Sequence, residues 1–415
     1  MSPKVFSSRE WAESSLSLED LSLRNDELRY SRLLSLDTEQ QIADDFACLV
    51  AVAESAQSVA AVCIEEQAAG GMILRFAAVD LSLNVEVKNG LQKVMNILSS
   101  TACCVSTKTR LEENQSDDIE KLYDQVLHLH HHRLLARLRS SKWEKPKYLS
   151  KSHKKPLWQD FDMLHHRAEF AYTKRERNQR NSIQEQLSAL GWIYQDFEHS
   201  TPEEEFEYLK KLVYASHSMC SSSGIKDFLH RLRTQTQITS QISAAIKSLR
   251  QIQKIAAYRR ISISLVQQAQ NNPPLFKDIS IQYLIPYSSV PTTVSHHEWA
   301  KKCHVHVEVQ LAVYYDLHSS AFTGPRPRTI GTSKWLCFLC YQFLCAQSNF
   351  FPSKTHGQLY DQWTVPDLQE FEGHGGELVA KYRGIVRDVD RVMCRLIEEE
   401  PEMGRLQPMT SCTVD

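Results

Sequence analysis

The chain has 415 residues, of which 42% are apolar and 24% are charged, and its net charge is −2. These values are typical of a folded globular protein with two or three domains, and they exclude a general electrostatic attraction to nucleic acid or membranes. No stretch approaches the roughly 18 apolar residues of a membrane span, and residues 1–17 lack the apolar core of a signal peptide. We therefore expect a cytoplasmic or nuclear location and no membrane partner.

The N-terminal part of the chain predicts a helix followed by a β-hairpin. After a partly disordered segment, 1–36, residues 37–82 contain a helical pattern and then two apolar runs, 58–64 and 72–77. A loop containing Gly70-Gly71 joins the two runs, which is typical of a hairpin. Helix and hairpin together form the first part of a predicted core.

Residues 83–271 predict a large helical insertion. Apolar side chains recur there at helical spacing, for example Ile242, Ile246 and Leu249. The last helix should end before Pro273, because proline lacks the backbone donor and restricts the residue before it. Loop-closure entropy grows slowly with length, so an insertion of this size between two parts of one core is permissible.

One segment of the insertion interleaves lysines with an aromatic ring. Such side chains can follow a phosphate backbone and stack on bases, which predicts contact with single-stranded nucleic acid. A solvated surface loop is the alternative interpretation. The candidate residues are Lys142, Trp143, Lys145, Lys147 and Lys151.

The C-terminal part of the chain predicts the second part of the core. Within residues 275–370, the alternating segment 279–285 predicts an edge strand and 328–332 predicts a short strand. Residues 375–399 then predict a C-terminal helix, and 400–415 a flexible tail.

Two helices of this part carry the most informative motifs. From His304 to Tyr315 the chain is apolar nearly all round, which predicts a buried helix with His306 and Glu308 in its first turn. Cys337 begins a second apolar helix. Thiolates at a helix N-terminus are favoured by the free N–H groups and the helix dipole.

The residue types at these two helix starts indicate a zinc deaminase. One imidazole and two thiolates, from His306, Cys337 and Cys340, can hold Zn²⁺ while a fourth position stays open for water. Zinc lowers the pKa of bound water to about 7, which makes a hydroxide nucleophile accessible. Glu308 stands at the offset of the carboxylate that moves protons in this chemistry.

These motifs resemble the cytidine-deaminase-like superfamily, in particular a branch of deaminases found in fungi and intracellular bacteria. The resemblance is carried by His306-Val307-Glu308, by Gly331-Thr332-Ser333-Lys334 and by Cys337-Phe338-Leu339-Cys340, within 303–366. It implies an α/β fold, with a three-layer deaminase core and a large helical insertion. Many members place a proline before the first cysteine, where this chain has Leu336.

The resemblance also implies a reaction and its residues. His306, Cys337 and Cys340 would hold Zn²⁺, and Glu308 would be the catalytic proton shuttle for hydrolytic deamination of a nucleobase in a nucleotide or nucleic acid. In related deaminases an asparagine ends the second strand and contacts substrate, and Asp80 takes the matching position here. The candidate substrate contacts are Asp80, Ser333, Lys334 and His356.

Two alternatives stay open on the sequence. Cys303 precedes His306 by three residues and forms a CxxH motif with it. Together with the CxxC motif of Cys337 and Cys340, this motif could supply all four ligands of a structural zinc in a binding module. In the other alternative, a helical interaction protein keeps a decayed deaminase core without turnover. The offset of Glu308 favours a zinc-dependent hydrolase.

Overall fold

The computed structural model describes residues 32–53, 58–78, 84–105, 112–147, 155–292, 301–319, 324–366, 371 and 376–399. These residues form two compact units. The first holds the described residues of 32–51, 58–105 and 268–399, and the second is formed mainly by 112–267. The boundaries of the helical insertion, 83–271, stay a prediction. The tail at 400–415 and most of the predicted N-terminal segment lie outside the described residues.

The helices and strands follow one another in an order that separates two α/β parts by a run of helices. The N-terminal elements are α1 (Leu36–Val50), β1 (Ala60–Glu66), β2 (Met72–Ala78) and α2 (Val85–Val105). The helical part contains α3 (Glu112–Leu138), α4 (Phe161–Ala171), α5 (Arg177–His199), α6 (Glu205–Ser221), α7 (Ser223–Arg233) and α8 (Ser240–Asn271), with short 3-10 helices at Leu157–Asp160 and Lys174–Glu176. The C-terminal elements are α9 (Pro273–Phe276), β3 (Ile279–Tyr283), β4 (Val290–Pro291), β5 (Lys302–Val305), α10 (Val307–Leu317), β6 (Gly331–Thr332), α11 (Phe338–Gln347), β7 (Trp363–Thr364) and α12 (Glu377–Glu399).

The main sheet of the first unit has the strand order β3-β2-β1-β6. The predicted hairpin is present, since β1 pairs antiparallel with β2 and places Val62 opposite Phe76. Strand β3 lies parallel to β2 at the sheet edge, and β6 lies antiparallel to β1. Gly71 has a φ of +93°, and a Cβ there would come 2.7 Å from the Asp278 carbonyl oxygen, so the hairpin loop requires glycine.

Helices cover both faces of this sheet. All seven residues of β1 are buried, which requires a packing layer on each side. Helix α1 packs against β1 and β6, while α10 packs against β1 and β2. The approach of α1 is close, because a Cβ at Gly331 would overlap the backbone of Ala43. The predicted α/β fold with a large helical portion is confirmed.

A second, smaller sheet has the order β4-β5-β7 and leads directly into the candidate site. Strands β5 and β7 are parallel and pair His304 with Trp363 and Val305 with Thr364. The amide of His304 also donates to the carbonyl of Gln362 over 2.7 Å. This short pairing brings the segment after α11 beside the start of α10.

The second unit consists of helices. Helix α5 packs against α4 and α6, and its buried side chains, among them Leu187, Tyr194 and Phe197, follow the helical period. The buried hydroxyls of Tyr194 and Ser216 form a hydrogen bond of 2.8 Å. Among all the helices described here, none has the length and apolar character needed to cross a lipid bilayer.

Candidate metal centre

The candidate metal ligands lie at the starts of two helices. His306 is the N-cap of α10, with the extended backbone angles that a cap requires. Cys337 is the N-cap of α11, and its sulfur accepts a hydrogen bond of 3.3 Å from the amide of Cys340. Both predicted helices are present, but the first begins at Val307 and not at His304, because His304 and Val305 belong to β5. The two helix starts direct three donor side chains to one point.

The donor atoms lie at distances that fit a tetrahedral zinc. His306 Nδ1 is 3.6 Å from Cys337 Sγ and 3.3 Å from Cys340 Sγ. For Zn–N near 2.0 Å and Zn–S near 2.3 Å, a tetrahedral angle gives an N–S separation of about 3.5 Å. Over the part of the chain that the structure describes, these three residues form the one such group of metal-binding side chains.

Glu308 lies beside the cluster, in the first turn of α10. Its side chain is buried, with 4% of the residue exposed, and its Oε2 is 3.4 Å from Cys340 Sγ. Burial raises the pKa of Glu308, and the nearby His306 partly opposes that rise. A carboxyl group in this environment can hold a proton closer to neutral pH than an exposed glutamate can.

The two cysteines differ in how easily they ionise. The hydrogen bond with Cys340 is the largest cause that lowers the pKa of Cys337, to about 4, and contact with His306 adds to it. Burial is the largest cause that raises the pKa of Cys340, and its hydrogen bond with Cys337 raises it further. For His306, burial alone would lower the pKa, but the interactions with Cys337 and Glu308 raise it. A cation at this point would stabilise both thiolates.

Cys303 does not join the cluster. Its sulfur instead lies 3.9 Å from the carbonyl oxygen of Asp361. His304 is half-buried on β5 and is also outside the group. The geometry thus brings together three protein donors, which is the ligand count of an open catalytic zinc site rather than of a closed structural one.

A buried polar network fixes α10 on the sheet. Glu65 Oε1 on β1 accepts from the Tyr315 hydroxyl over 2.7 Å and from Arg75 Nε over 2.6 Å. The Arg75 guanidinium also lies over the ring of Tyr314, 4.2 Å from its centroid. Both tyrosines belong to α10, so the helix that carries Glu308 is held in one position relative to β1 and β2.

The segment after α11 forms one wall of the site. His356 donates its amide to the carbonyl of Leu336, and its Nδ1 accepts from the Gln358 amide. The ring of Tyr360 meets the His356 ring edge-on at 5.9 Å and lies 6.3 Å from the His306 ring. Burial is the main cause that lowers the pKa of His356, and the charge of Lys334 lowers it further.

The four residues predicted to contact substrate lie in different surroundings. His356 belongs to the wall beside the cluster, and the charge of Lys334 acts on His356. Ser333 is used by the fold, since its hydroxyl accepts from the Ala60 amide over 3.1 Å. Asp80 lies outside the described residues. Tyr360 belongs to no recognisable sequence motif. The one sequence signal for a role at the site is that it is an aromatic residue in the segment after Cys340.

The predicted nucleic-acid segment is partly engaged within the second unit. Lys142 Nζ donates to the carbonyl oxygen of Ser200 over 2.6 Å, and its side chain is 16% exposed. Trp143 is half-buried, whereas Lys145 and Lys147 are exposed. Lys151 lies outside the described residues. Lys142 is thus committed to an internal contact, and the role of the exposed lysines stays a prediction.

Comparison with known proteins agrees with the site. Residues 305–367 match a family described as OTT_1508_deam-like deaminase, close to the segment 303–366 that carries the resemblance. No curated protein and no solved structure matches the chain. The matched residues contain the whole cluster, Glu308 and the wall formed by His356 and Tyr360. Residues 305–367 are therefore similar to a deaminase domain, as the resemblance of the motifs predicts.

Proposed function

We propose that this chain is a zinc-dependent hydrolytic deaminase of a nucleobase, with His306, Cys337 and Cys340 as the ligands. The observation that carries the proposal is the convergence of three donors, without Cys303, beside a buried Glu308. When bound in such a site, zinc supplies a Lewis acid and lowers the pKa of a coordinated water to about 7. The deaminase family match supports the same reaction class.

Glu308 is the residue that would move protons. Its carboxylate would take a proton from the attacking water and pass it to a ring nitrogen of the base. It would then take the proton of the newly added hydroxyl group and give it to the departing amine, which leaves as ammonia. The side chain is fixed by burial and lies beside Cys340, so it reaches the same space as the ligands. A raised pKa favours the last step, in which the group must act as an acid.

The surroundings of the site favour a base presented by a single strand over a fully enclosed nucleoside. The apolar side chains of Trp335, Leu359 and Tyr360 are exposed on segments that flank the cluster. Aromatic rings that stand in solvent can stack on bases with little dependence on sequence. The ten described cysteines are all free thiols, which supports action in a reducing compartment, the cytoplasm or nucleus.

The test is ammonia release from cytosine- and adenine-containing nucleosides, single strands and structured RNA by the zinc-loaded full chain. Glu308→Gln should lower the rate by roughly 10²- to 10⁴-fold while zinc content is unchanged. Glu377→Gln, at an exposed position of the same unit, is the matched control and should retain the wild-type rate. Fully zinc-loaded protein that releases no ammonia from any of these substrates, or an unaffected Glu308→Gln, would contradict the proposal.

A further inference from the structure

The second unit contains a cleft of about 750 Å³ between the end of α4 and the segment that joins α7 to α8. Arg167 and Phe170 line it from α4. Glutamine, threonine and serine side chains between Gln235 and Gln241 line it from the other segment. Among the described residues, none that lines the cleft carries a carboxylate. The cleft therefore offers a ligand a positive charge and several hydrogen-bond donors, but no negative charge.

The chain that follows α7 is positively charged over a long stretch. No Asp or Glu occurs between Asp227 and Asp278 in the sequence. Within that stretch, Arg233 is exposed and stands two residues before the lining segment begins at Gln235. Partial burial lowers the pKa of Arg233, and the positive charge of Arg250 lowers it further. Unbalanced positive charge of this kind favours an anionic ligand.

The ion pairs of this unit leave Arg167 and Arg233 uncompensated. A different arginine, Arg231, pairs with Glu176 at 2.8 Å and with Asp227 at 2.7 Å. In the part of the chain that the structure describes, neither Arg167 nor Arg233 forms an ion pair. Both charges are thus available to a phosphate, which a planar guanidinium can bind through two hydrogen bonds.

Phe170 adds an exposed aromatic ring to the cleft. The residue is 65% exposed, and the Arg167 guanidinium lies over its ring, 5.5 Å from the centroid. The carboxylate of Glu169, which precedes it, lies 3.6 Å from His166 Nδ1. An exposed ring beside cationic side chains can stack on a base while the cations hold the backbone, which is how proteins bind single strands without reading their sequence.

We propose that this cleft binds a single strand of nucleic acid, with Phe170 stacked on a base and with Arg167 and Arg233 contacting phosphates. The amide and hydroxyl groups of the lining can donate to phosphate and sugar oxygens. A strand fits a concave site because its phosphates and bases protrude, whereas a membrane presents a flat surface. The choice of nucleic acid among anionic ligands rests on the proposed function, but binding in the cleft requires no zinc.

The experiment measures the fluorescence anisotropy of a labelled oligothymidine of about 20 nucleotides, titrated with the full chain at several salt concentrations. Thymine carries no exocyclic amine, so the probe can bind but cannot be deaminated. Phe170→Ala should weaken binding by about 5- to 150-fold, the range that corresponds to the stacking of one base. Arg167→Gln and Arg233→Gln should each make a plot of log affinity against log salt concentration shallower by about 0.7.

Two substitutions in the same unit serve as matched controls. Trp192 is 65% exposed, like Phe170, but it lies in a different pocket together with Glu185. Lys121 is an exposed cation on α3 and does not line the cleft. Trp192→Ala and Lys121→Gln should both stay within about twofold of the wild-type affinity.

The outcomes separate this inference from the proposed function. A wild-type chain that does not bind the probe, or controls that weaken binding as much as the cleft variants do, would overturn the inference. Displacement of the strand by phosphatidylserine vesicles would assign the cleft to a lipid surface and also overturn it. If Phe170→Ala does not fold, the two arginine variants decide by their salt dependence. A chain that binds the probe through the cleft but releases no ammonia from any substrate would contradict the proposed function alone.

Discussion

Asp316 joins three helices at the back of the candidate site, and its replacement by alanine should loosen them together. The carboxylate at the end of α10 accepts from Gln347 at 3.2 Å and from Asn349 at 2.9 Å. It also accepts from Lys381 at 2.8 Å and from the Tyr382 hydroxyl at 2.9 Å. Removing it leaves four donors from two neighbouring segments without their acceptor.

Burial decides how much each lost bond costs. The Lys381 side chain is 33% exposed and Asn349 is half-buried, so both can turn to water. Gln347 and Tyr382 are buried, with 2% and 0% exposed, and each stranded donor costs about 1–3 kcal/mol. Asp316→Ala should therefore lower the local free energy of unfolding by about 2–6 kcal/mol.

Hydrogen exchange read by mass spectrometry is the suitable assay, because the two compact units need not unfold together. A loss of about 2 kcal/mol or more should accelerate amide exchange in α11 and α12 at least roughly 30-fold. Peptides from the second unit should exchange as in wild type. The control is Asp388→Ala, which breaks an exposed ion pair with Arg391 and should cost at most about 1 kcal/mol. Unchanged exchange in α11 and α12, or an equal effect of Asp388→Ala, would show that Asp316 does not hold these helices together.

Three further predictions concern the fold and the ligand set. Gly331→Ala should destabilise the first unit by about 1–3 kcal/mol in thermal unfolding, since a Cβ would overlap the Ala43 backbone; an unchanged midpoint would contradict the close packing. Burial acts to raise the pKa of Asp160, but hydrogen bonds from Lys155, Ser248 and Arg139 lower that pKa below the ordinary 3.8. The ionised Asp160 therefore stabilises the second unit above pH 4, and this stabilisation is lost as the pH falls further. Asp160→Asn should destabilise that unit at pH 7 and flatten its pH dependence below pH 4, measured by exchange at several pH values. Cys303→Ser should keep full zinc content by elemental analysis, whereas Cys337→Ser should lose it, and equal losses would favour a closed site.

The parts of the fold that follow from local pattern could be predicted. The hairpin and the edge strand at 279–283 depend on alternation and on glycine in a turn, and both are present. The helix starts at His306 and Cys337 follow from apolar runs that begin next to polar donors. Such signals are contained in a few consecutive residues, so the sequence alone is enough to detect them.

The parts of the fold that depend on contacts between distant segments could not be predicted from the sequence. The sequence left Cys303 open as a fourth ligand, and only the tertiary structure directs its sulfur to the carbonyl of Asp361. The hydrogen bond from the Ala60 amide to the Ser333 hydroxyl also joins distant segments, and the substrate contact of Ser333 stays a prediction. Tyr360 reaches the site because the two-residue strand β7 pairs with β5, and a pairing that short has no pattern of its own.

The proposed metal centre is a zinc held by one imidazole and two thiolates, with a fourth position left for water. X-ray absorption at the zinc K-edge of the purified chain tests it most directly, because it counts sulfur and nitrogen or oxygen neighbours. We expect one zinc per chain, with two sulfurs at about 2.3 Å and two nitrogen or oxygen atoms at about 2.0 Å. A third sulfur, as expected if Cys303 joined the set, or protein without stoichiometric zinc would contradict it.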